Sequence, residues 1–212
     1  MLKIKQLKGY SKYKNTEKEM IRQVQKVSEN IDNEEIWFLE HEEVFTAGSS
    51  TPKSFKDKKI NNIPVIISNR GGKITYHGPG QLVIYPILNL KKRKLNIINF
   101  IDHLENICVE VFRNNSIKLF KKKEKNRGLW VSRNKIDNKI IFIGLRYSMG
   151  VIYHGISINF ENNLNNFRKI NPCGLKADEI SSLKELKFIY NKTKIIREIK
   201  NKFNEKFDLS LI

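Results

Sequence analysis

The chain has 212 residues, of which 40% are hydrophobic and 29% charged, enough apolar material to bury one sizeable core, so a single domain over residues 1-212 is expected. Lys and Arg outnumber Asp and Glu by 40 to 22, a formal charge of +18 that favours acidic partners without choosing among nucleic acid, anionic lipid and an acidic carrier protein. Two cysteines, Cys108 and Cys173, are too few for a disulfide scaffold and lack metal-ligand spacing. With no leader pattern and no apolar stretch of membrane-spanning length, the expectation is a cytoplasmic protein holding no metal.

A short strand near Leu2 to Leu7 opens the chain, and Met20, Val24, Val27 and Ile31 then mark one apolar face of a helix over Tyr13 to Ile31. Ile36 to Leu39, Val44 to Thr46 and Ile63 to Ile67 read as strands. A glycine-rich block follows, in which Gly71 and Gly72 precede a short run to Tyr76, the loop His77-Gly78-Pro79-Gly80 intervenes, and Gln81 to Leu88 returns to a strand. Ile97, Ile101, Leu104, Cys108 and Val111 predict a helix over Leu95 to Phe112 with Cys108 on its buried stripe. The lysines from Lys121 to Lys125 suit a solvated loop or strand end. Strands at Leu129 to Val131, Ile140 to Arg146 and Val151 to Phe160 lead through an Asn-rich connection to Pro172-Cys173-Gly174, and Ile195, Ile199 and Phe203 share the face of a closing helix. The predicted class is α+β, with a mixed or mostly antiparallel sheet and flanking helices.

Cys173 stands between a proline and a glycine in a polar connection, which makes its thiol the candidate nucleophile, whereas Cys108 on an apolar stripe is inert. A free thiol with pKa ~8.5 needs a neighbouring cation or base to become thiolate at neutral pH. Read from the residues alone, the activator is a histidine, because Tyr-His-Gly occurs twice, at Tyr76-His77-Gly78 and Tyr153-His154-Gly155, each where a strand should end at a pocket rim. A purely structural role for both histidines, hydrogen-bonded to backbone, is an equal reading. The stretch Arg70-Gly71-Gly72 with His77 to Gln81 lets backbone approach a ligand closely, but it matches neither a P-loop nor a dinucleotide fingerprint.

Three blocks taken together, Arg70 to Leu90 (RGGKITYHGPGQLVIYPILNL), Lys139 to Asn159 (KIIFIGLRYSMGVIYHGISIN) and Pro172 to Leu175 (PCGL) with Ser182-Leu183 after it, closely resemble the octanoyltransferases of lipoate biosynthesis, the lipoate-protein ligase B family. Glu40-His41, Val44 to Gly48 and Arg127 to Trp130 extend the likeness. The resemblance implies a biotin/lipoate protein ligase-like fold and an ATP-independent acyltransferase with no cofactor. It further implies octanoyl-acyl carrier protein as donor, and as acceptors the lipoyl domains of 2-oxoacid dehydrogenases or the glycine cleavage H protein. By the same resemblance Cys173 carries the acyl thioester and Lys139 lowers its pKa, in place of the histidine suggested by the residues alone. Arg70, Gly71, Gly72, Lys73, Ile74, Thr75, Tyr76, His77, Phe142, Ile143, Gly144, Gly155, Ile156 and Ser157 match the segments that line the substrate site. The rivals are an ATP-dependent lipoate or biotin ligase of the same fold, a basic nucleic-acid-binding module, and a catalytically silent scaffold.

Overall fold

Alternation of side chains across two long central strands organises the molecule, a computed structural model that describes residues 2–52, 58–122, 127–170, 172 and 175–208. The strands are β1 (Lys3–Ser11), β2 (Glu35–His41), β3 (Val44–Ala47), β4 (Lys59–Ile60), β5 (Ile63–Ile67), β6 (Ile74–His77), β7 (Gln81–Asn89), β8 (Leu119–Lys121), β9 (Leu129–Arg133), β10 (Ile136–Ser148) and β11 (Val151–Asn159). The α-helices are α1 (Tyr13–Ser28), α2 (Ile97–Asn114) and α3 (Lys192–Phe207), and single 3-10 turns cover Phe167–Lys169 and Ala177–Glu179. A seven-stranded sheet runs β1-β2-β7-β11-β10-β9-β8 and a four-stranded one β4-β5-β3-β6. Pairing is antiparallel except between β1 and β2 and between β3 and β5.

Every residue of β7 and β11 is buried, as a strand covered on both faces requires. On one face Ile36, Phe38, Leu82, Ile84, Ile152 and Ile158 pack against α2 and α3 through Phe100, Leu104, Phe112, Ile195, Ile199 and Phe203. On the other, Trp37, Leu39, Val83, Tyr85, Val151 and Tyr153 meet Met20, Val24 and Val27 of α1. The period of two along the strands and of about 3.6 along the helices is the physical source of this split. A third apolar cluster, under the small sheet, joins Phe45, Ile74 and Tyr76 to Trp130, Phe142, Phe167, Ile170, Leu175 and Ile180.

Three hairpins are closed by two residues that both have positive φ: Asn61 and Asn62, Asn134 and Lys135, and Met149 and Gly150. This is the turn geometry whose twist matches that of paired strands, and it sets the register of β4–β5, β9–β10 and β10–β11.

Several boundaries differ from expectation. The first strand continues to Ser11, because pairing with β2 alone leaves it an exposed edge without alternation. The first helix stops at Ser28, before Asn30 at φ 61. The second begins at Ile97, where the Asn96 side chain accepts from the Asn99 amide, and it runs on to Asn114. Strands β4 and β8 were not anticipated, being too short to leave a periodic signal. Lys121 ends β8 and pairs with Glu105 at 3.3 Å, while Lys122 pairs with Asp137 at 3.1 Å and lies 3.9 Å from the Trp130 ring centre; these two are partnered, and Lys123, Glu124 and Lys125 fall outside the described residues. No helix among the described residues is long and apolar enough to cross a membrane.

Phe203 is fully buried and meets Phe38 edge-on and Phe207. Phe203→Ala should destabilise the protein by about 3–5 kcal/mol, whereas Ile189→Ala, at a position 96% exposed, should stay within about 0.5 kcal/mol. Urea unfolding at constant m-value distinguishes the two, and equal midpoints would contradict the packing described.

Candidate active site

The register of β10 against β11 places Phe142 opposite Ser157, Ile143 opposite Ile156 and Gly144 opposite Gly155. These six residues, with Arg70, Gly71, Gly72, Thr75, His77, Val83 and Tyr85, line a slot between the two sheets. Gly155 packs tightly against β7. A Cβ there would lie 2.0 Å from the Ile84 carbonyl oxygen, so only glycine fits. His154 beside it has φ 56, and direct pairing with β7 lapses between Ile152 and Ile156, although the register is the same on both sides of the gap.

The loop carrying Arg70 is clamped from several directions. Its guanidinium donates through Nε to Thr46 Oγ1 at 2.9 Å, through Nη2 to the Thr46 carbonyl at 2.6 Å and through Nη1 to the Gly71 carbonyl at 3.0 Å. The Gly71 amide donates to Leu145 and the Ser49 amide to the Arg70 carbonyl. Arg70 therefore lines the slot while its donors hold the loop to β3. From α1, the Tyr13 hydroxyl meets Ser68 Oγ at 2.7 Å, and that hydroxyl donates to Glu17 Oε1 at 2.8 Å. Burial raises the Glu17 carboxyl above its ordinary pKa.

Lys139 lies in β10 and is 2% exposed. Its Nζ donates to the Arg127 carbonyl and stands 5.1 Å from the Phe142 ring centre and 5.7 Å from that of Trp130, distances at which an aromatic face attracts a cation. Gly128, at φ 114, permits this approach, since a Cβ there would meet Lys139 Cε at 2.7 Å and the Ile141 carbonyl oxygen at 2.3 Å. The Lys139 carbonyl accepts from the Ser181 amide, and the residue bridges in parallel to Ile180. Cys173 lies outside the described residues. On either side of it, Ile170 and Leu175 are buried in the same cluster as Trp130 and Phe142, and the Leu175 amide donates to the Pro172 carbonyl at 3.1 Å.

The histidines sit deeper than a pocket rim. His154 is in mid-strand, its Nε2 donating to Asn69 Oδ1 at 2.6 Å while buried Nδ1 has no partner among the described residues. His41 Nδ1 donates to the Ser11 carbonyl and its Nε2 accepts from the Tyr85 hydroxyl, both at 2.9 Å. Burial lowers the pKa of His41 to about 4 and that of His154 to about 3, and holds that of His77 well below its usual value. Only His77 of the three lines the slot. Cys108 is buried among α2 contacts, and desolvation pushes its thiol up to about 12.

Of the segments singled out in the sequence, Ile74 and Tyr76 turn the other way, into the small sheet's core, and Lys73 is exposed; strand alternation in β6 leaves Thr75 and His77 to face the slot. The Thr75 hydroxyl is buried and has no hydrogen-bond partner among the described residues. Sequence reasoning missed Val83 and Tyr85 in the lining and Tyr13 and Glu17 beneath the loop. Tyr13, Met20 and Val27 lie on one buried helix face with the polar Thr16 and Gln23, and polar residues on an otherwise apolar face were the available signal.

A histidine whose folded pKa is lowered refuses protons that the unfolded chain takes up, so its contribution to stability is full above the unfolded pKa of ~6.5 and is lost as pH falls below it. At pH 5 His154 should cost about 2 kcal/mol, the shift at that pH being ~1.5 units of 1.36 kcal/mol each. Glu17, raised by burial, acts in the opposite sense. His154→Gln, whose amide can still donate to Asn69, should therefore shrink the loss of stability between pH 7 and pH 5, measured by urea unfolding at both; an unchanged difference would show that His154 titrates normally.

Residues 15–208 match the family of the lipoyl protein ligase A/B catalytic domain. The chain is 39% identical over 168 residues, 79% of its length and 80% of the relative's, to the octanoyltransferase of Wolbachia sp. subsp. Brugia malayi, and 37% identical over 98% of its length to all of that of Rickettsia prowazekii. Among solved structures it superposes on a lipoate-protein ligase A bound with ATP at a TM-score of 0.70, covering 98% of this chain and 85% of the other at 12% identity. It also superposes on the biotin protein ligase of Aquifex aeolicus at 0.52, covering 97% and 69% at 12% identity. The fold is that of the lipoate and biotin protein ligases, and the chain belongs to the lipoyl protein ligase A/B catalytic domain family.

Proposed function

We propose that residues 1-212 act as one cytoplasmic catalytic domain that carries an octanoyl group from octanoyl-acyl carrier protein to a lysine of a lipoyl domain, through a thioester on Cys173. The observation that carries this reading is the buried Lys139 ammonium, set against Trp130 and Phe142 in the apolar cluster that also holds Ile170 and Leu175. A cation in such surroundings stabilises a thiolate far better than one in water does. The relatives named octanoyltransferases supply the chemical class.

In the first step the Cys173 thiolate attacks the carbonyl carbon of the donor thioester. A new C–S bond forms, the old one breaks, and the carrier's sulfur takes a proton from Lys139 and leaves as the thiol. One thioester replaces another of similar energy, so no nucleotide is consumed. In the second, the unprotonated amine of the acceptor lysine attacks the acyl-enzyme, a C–N bond forms, the C–S bond to Cys173 breaks, and the amine's proton returns to the Cys173–Lys139 pair. The amide product is the more stable, which drives transfer. The acyl chain is assigned to the slot lined by Val83, Phe142, Ile143 and Ile156. Each methylene buried there adds roughly 0.8 kcal/mol of binding, which gives the chain-length preference its physical basis.

Incubation with octanoyl-acyl carrier protein and no ATP should add one octanoyl group by intact mass, mapped by peptide analysis to Cys173 and absent from Cys173→Ala. Label on Cys108, or modification that requires ATP and free octanoate, would refute the reading in favour of another nucleophile or an ATP-dependent ligase. Lys139→Met should raise the pKa of Cys173 alkylation, and His154→Gln should leave it within about 0.3 units. A larger shift from the histidine variant than from the lysine variant would restore a Cys-His pairing.

A further inference from the structure

Gln81 and Asn159 are both fully buried, and their side chains join His77 to the backbone beside Lys139. The Asn159 amide Nδ2 donates to the Ser181 carbonyl at 3.0 Å, which leaves Oδ1 facing Gln81. Gln81 Nε2 donates to that oxygen at 2.9 Å and to the Tyr76 carbonyl at 3.2 Å. Two acceptors around one atom identify it as the nitrogen. Gln81 Oε1 is then the atom 2.6 Å from His77 Nδ1, and an oxygen with no proton of its own can only accept there. The hydrogen on His77 is thereby assigned to Nδ1.

A neutral imidazole with its proton on Nδ1 offers a lone pair at Nε2. His77 lines the slot, and its Nε2 has no hydrogen-bond partner among the described residues. Burial, helped by the positive charge of nearby Arg70, keeps the ring uncharged. Such a nitrogen cannot stabilise a carbonyl oxygen, which needs a donor; it pairs with an incoming N–H. Neither an acyl chain nor its thioester carbon, sulfur and oxygen supplies one. The attacking amine does.

We propose that His77, locked in its Nδ1–H form by Gln81 and Asn159, accepts a hydrogen bond at Nε2 from the amine of the acceptor lysine and so orients it toward the acylated thiol. This rests on the acyl transfer proposed above and assigns the group that positions its second substrate. Gln81 and Asn159 act through His77 and are positioning residues. No proton transfer to His77 is involved.

Long-range proton–nitrogen spectra of the unmodified protein should show His77 Nδ1 protonated and Nε2 unprotonated from pH 5 to 8. Adding a lipoyl domain without any acyl donor should move the Nε2 resonance, and a domain with its target lysine changed to methionine should not. Reversed protonation, or an Nε2 shift that ignores the lysine, would overturn the proposal even where no variant folds. His77→Asn keeps a donor toward Gln81 and removes the Nε2 acceptor. In single turnovers its transfer to the lipoyl domain should fall about tenfold to hundredfold further than its acylation by the donor, the range expected for one lost hydrogen bond to a buried partner. Equal slowing of both steps, or slowing of acylation alone as for a contact to the donor's arm, would overturn it. If the unmodified protein forms no acyl-enzyme, the transfer reaction itself fails and this assignment falls with it; if the acyl-enzyme forms and His77→Asn passes it on normally, only the role of His77 is lost.

Discussion

The pairing of β10 with β11 in one register is the constraint on which the rest depends. From Ile141 opposite Ile158 to Ser148 opposite Val151, it puts two short glycine-containing segments side by side and gives the slot one wall. A slip of β10 by one residue against β11 would turn Phe142 to the opposite face, away from Ser157. The turn at Met149 and Gly150 prevents this at one end. At the other end, the irregularity between Lys139 and Ile141 lets β10 pair with β9 while Lys139 also reaches Ile180.

The second wall comes from far along the chain and is held by polar groups instead of by a turn. Thr46 grips Arg70, Ser68 ties the loop to Tyr13 and Glu17 of α1, and Gln81 with Asn159 joins β6, β7 and β11. Nearly all of these groups are buried, so each must be matched by a partner or the whole network loses stability. Thr75 Oγ1, in the slot's lining, and His154 Nδ1, beside Gly155, are among the buried side-chain atoms with no hydrogen-bond partner among the described residues.

How much could be read beforehand follows from where the signal lay. Strands β7 and β11 were legible because both faces are apolar, and α2 because its buried stripe is regular. β1 was cut short because its outer edge is solvated, and the small sheet went unseen as a separate layer because β4 and β6 have two and four residues. Asn61-Asn62 carried a hairpin signature that was overlooked; Met149 carried none, since methionine is not a residue that favours positive φ. The slot-lining segments and Lys139 were singled out through family resemblance. From periodicity alone Lys139 is one lysine among many, and its burial depends on Gly128, eleven positions away. Placing both Tyr-His-Gly motifs at strand ends failed for the second, because β11 keeps one register with β10 and β7 on both sides of His154 in spite of its φ of 56.

The two-residue turns at Asn134-Lys135 and Met149-Gly150 make β9, β10 and β11 a continuous meander of local contacts. Closing such short loops costs little chain entropy and proceeds in microseconds. By contrast β7 must find β2 and β11 across separations of roughly fifty to seventy residues, and β1 must pair with β2 around the whole of α1. Low contact order therefore favours the meander as the early part of the folding route, with the Arg70 loop and the small sheet arriving onto it later. The lysine proposed to activate the nucleophile belongs to the portion formed first, and the histidine proposed to orient the amine belongs to the portion added last.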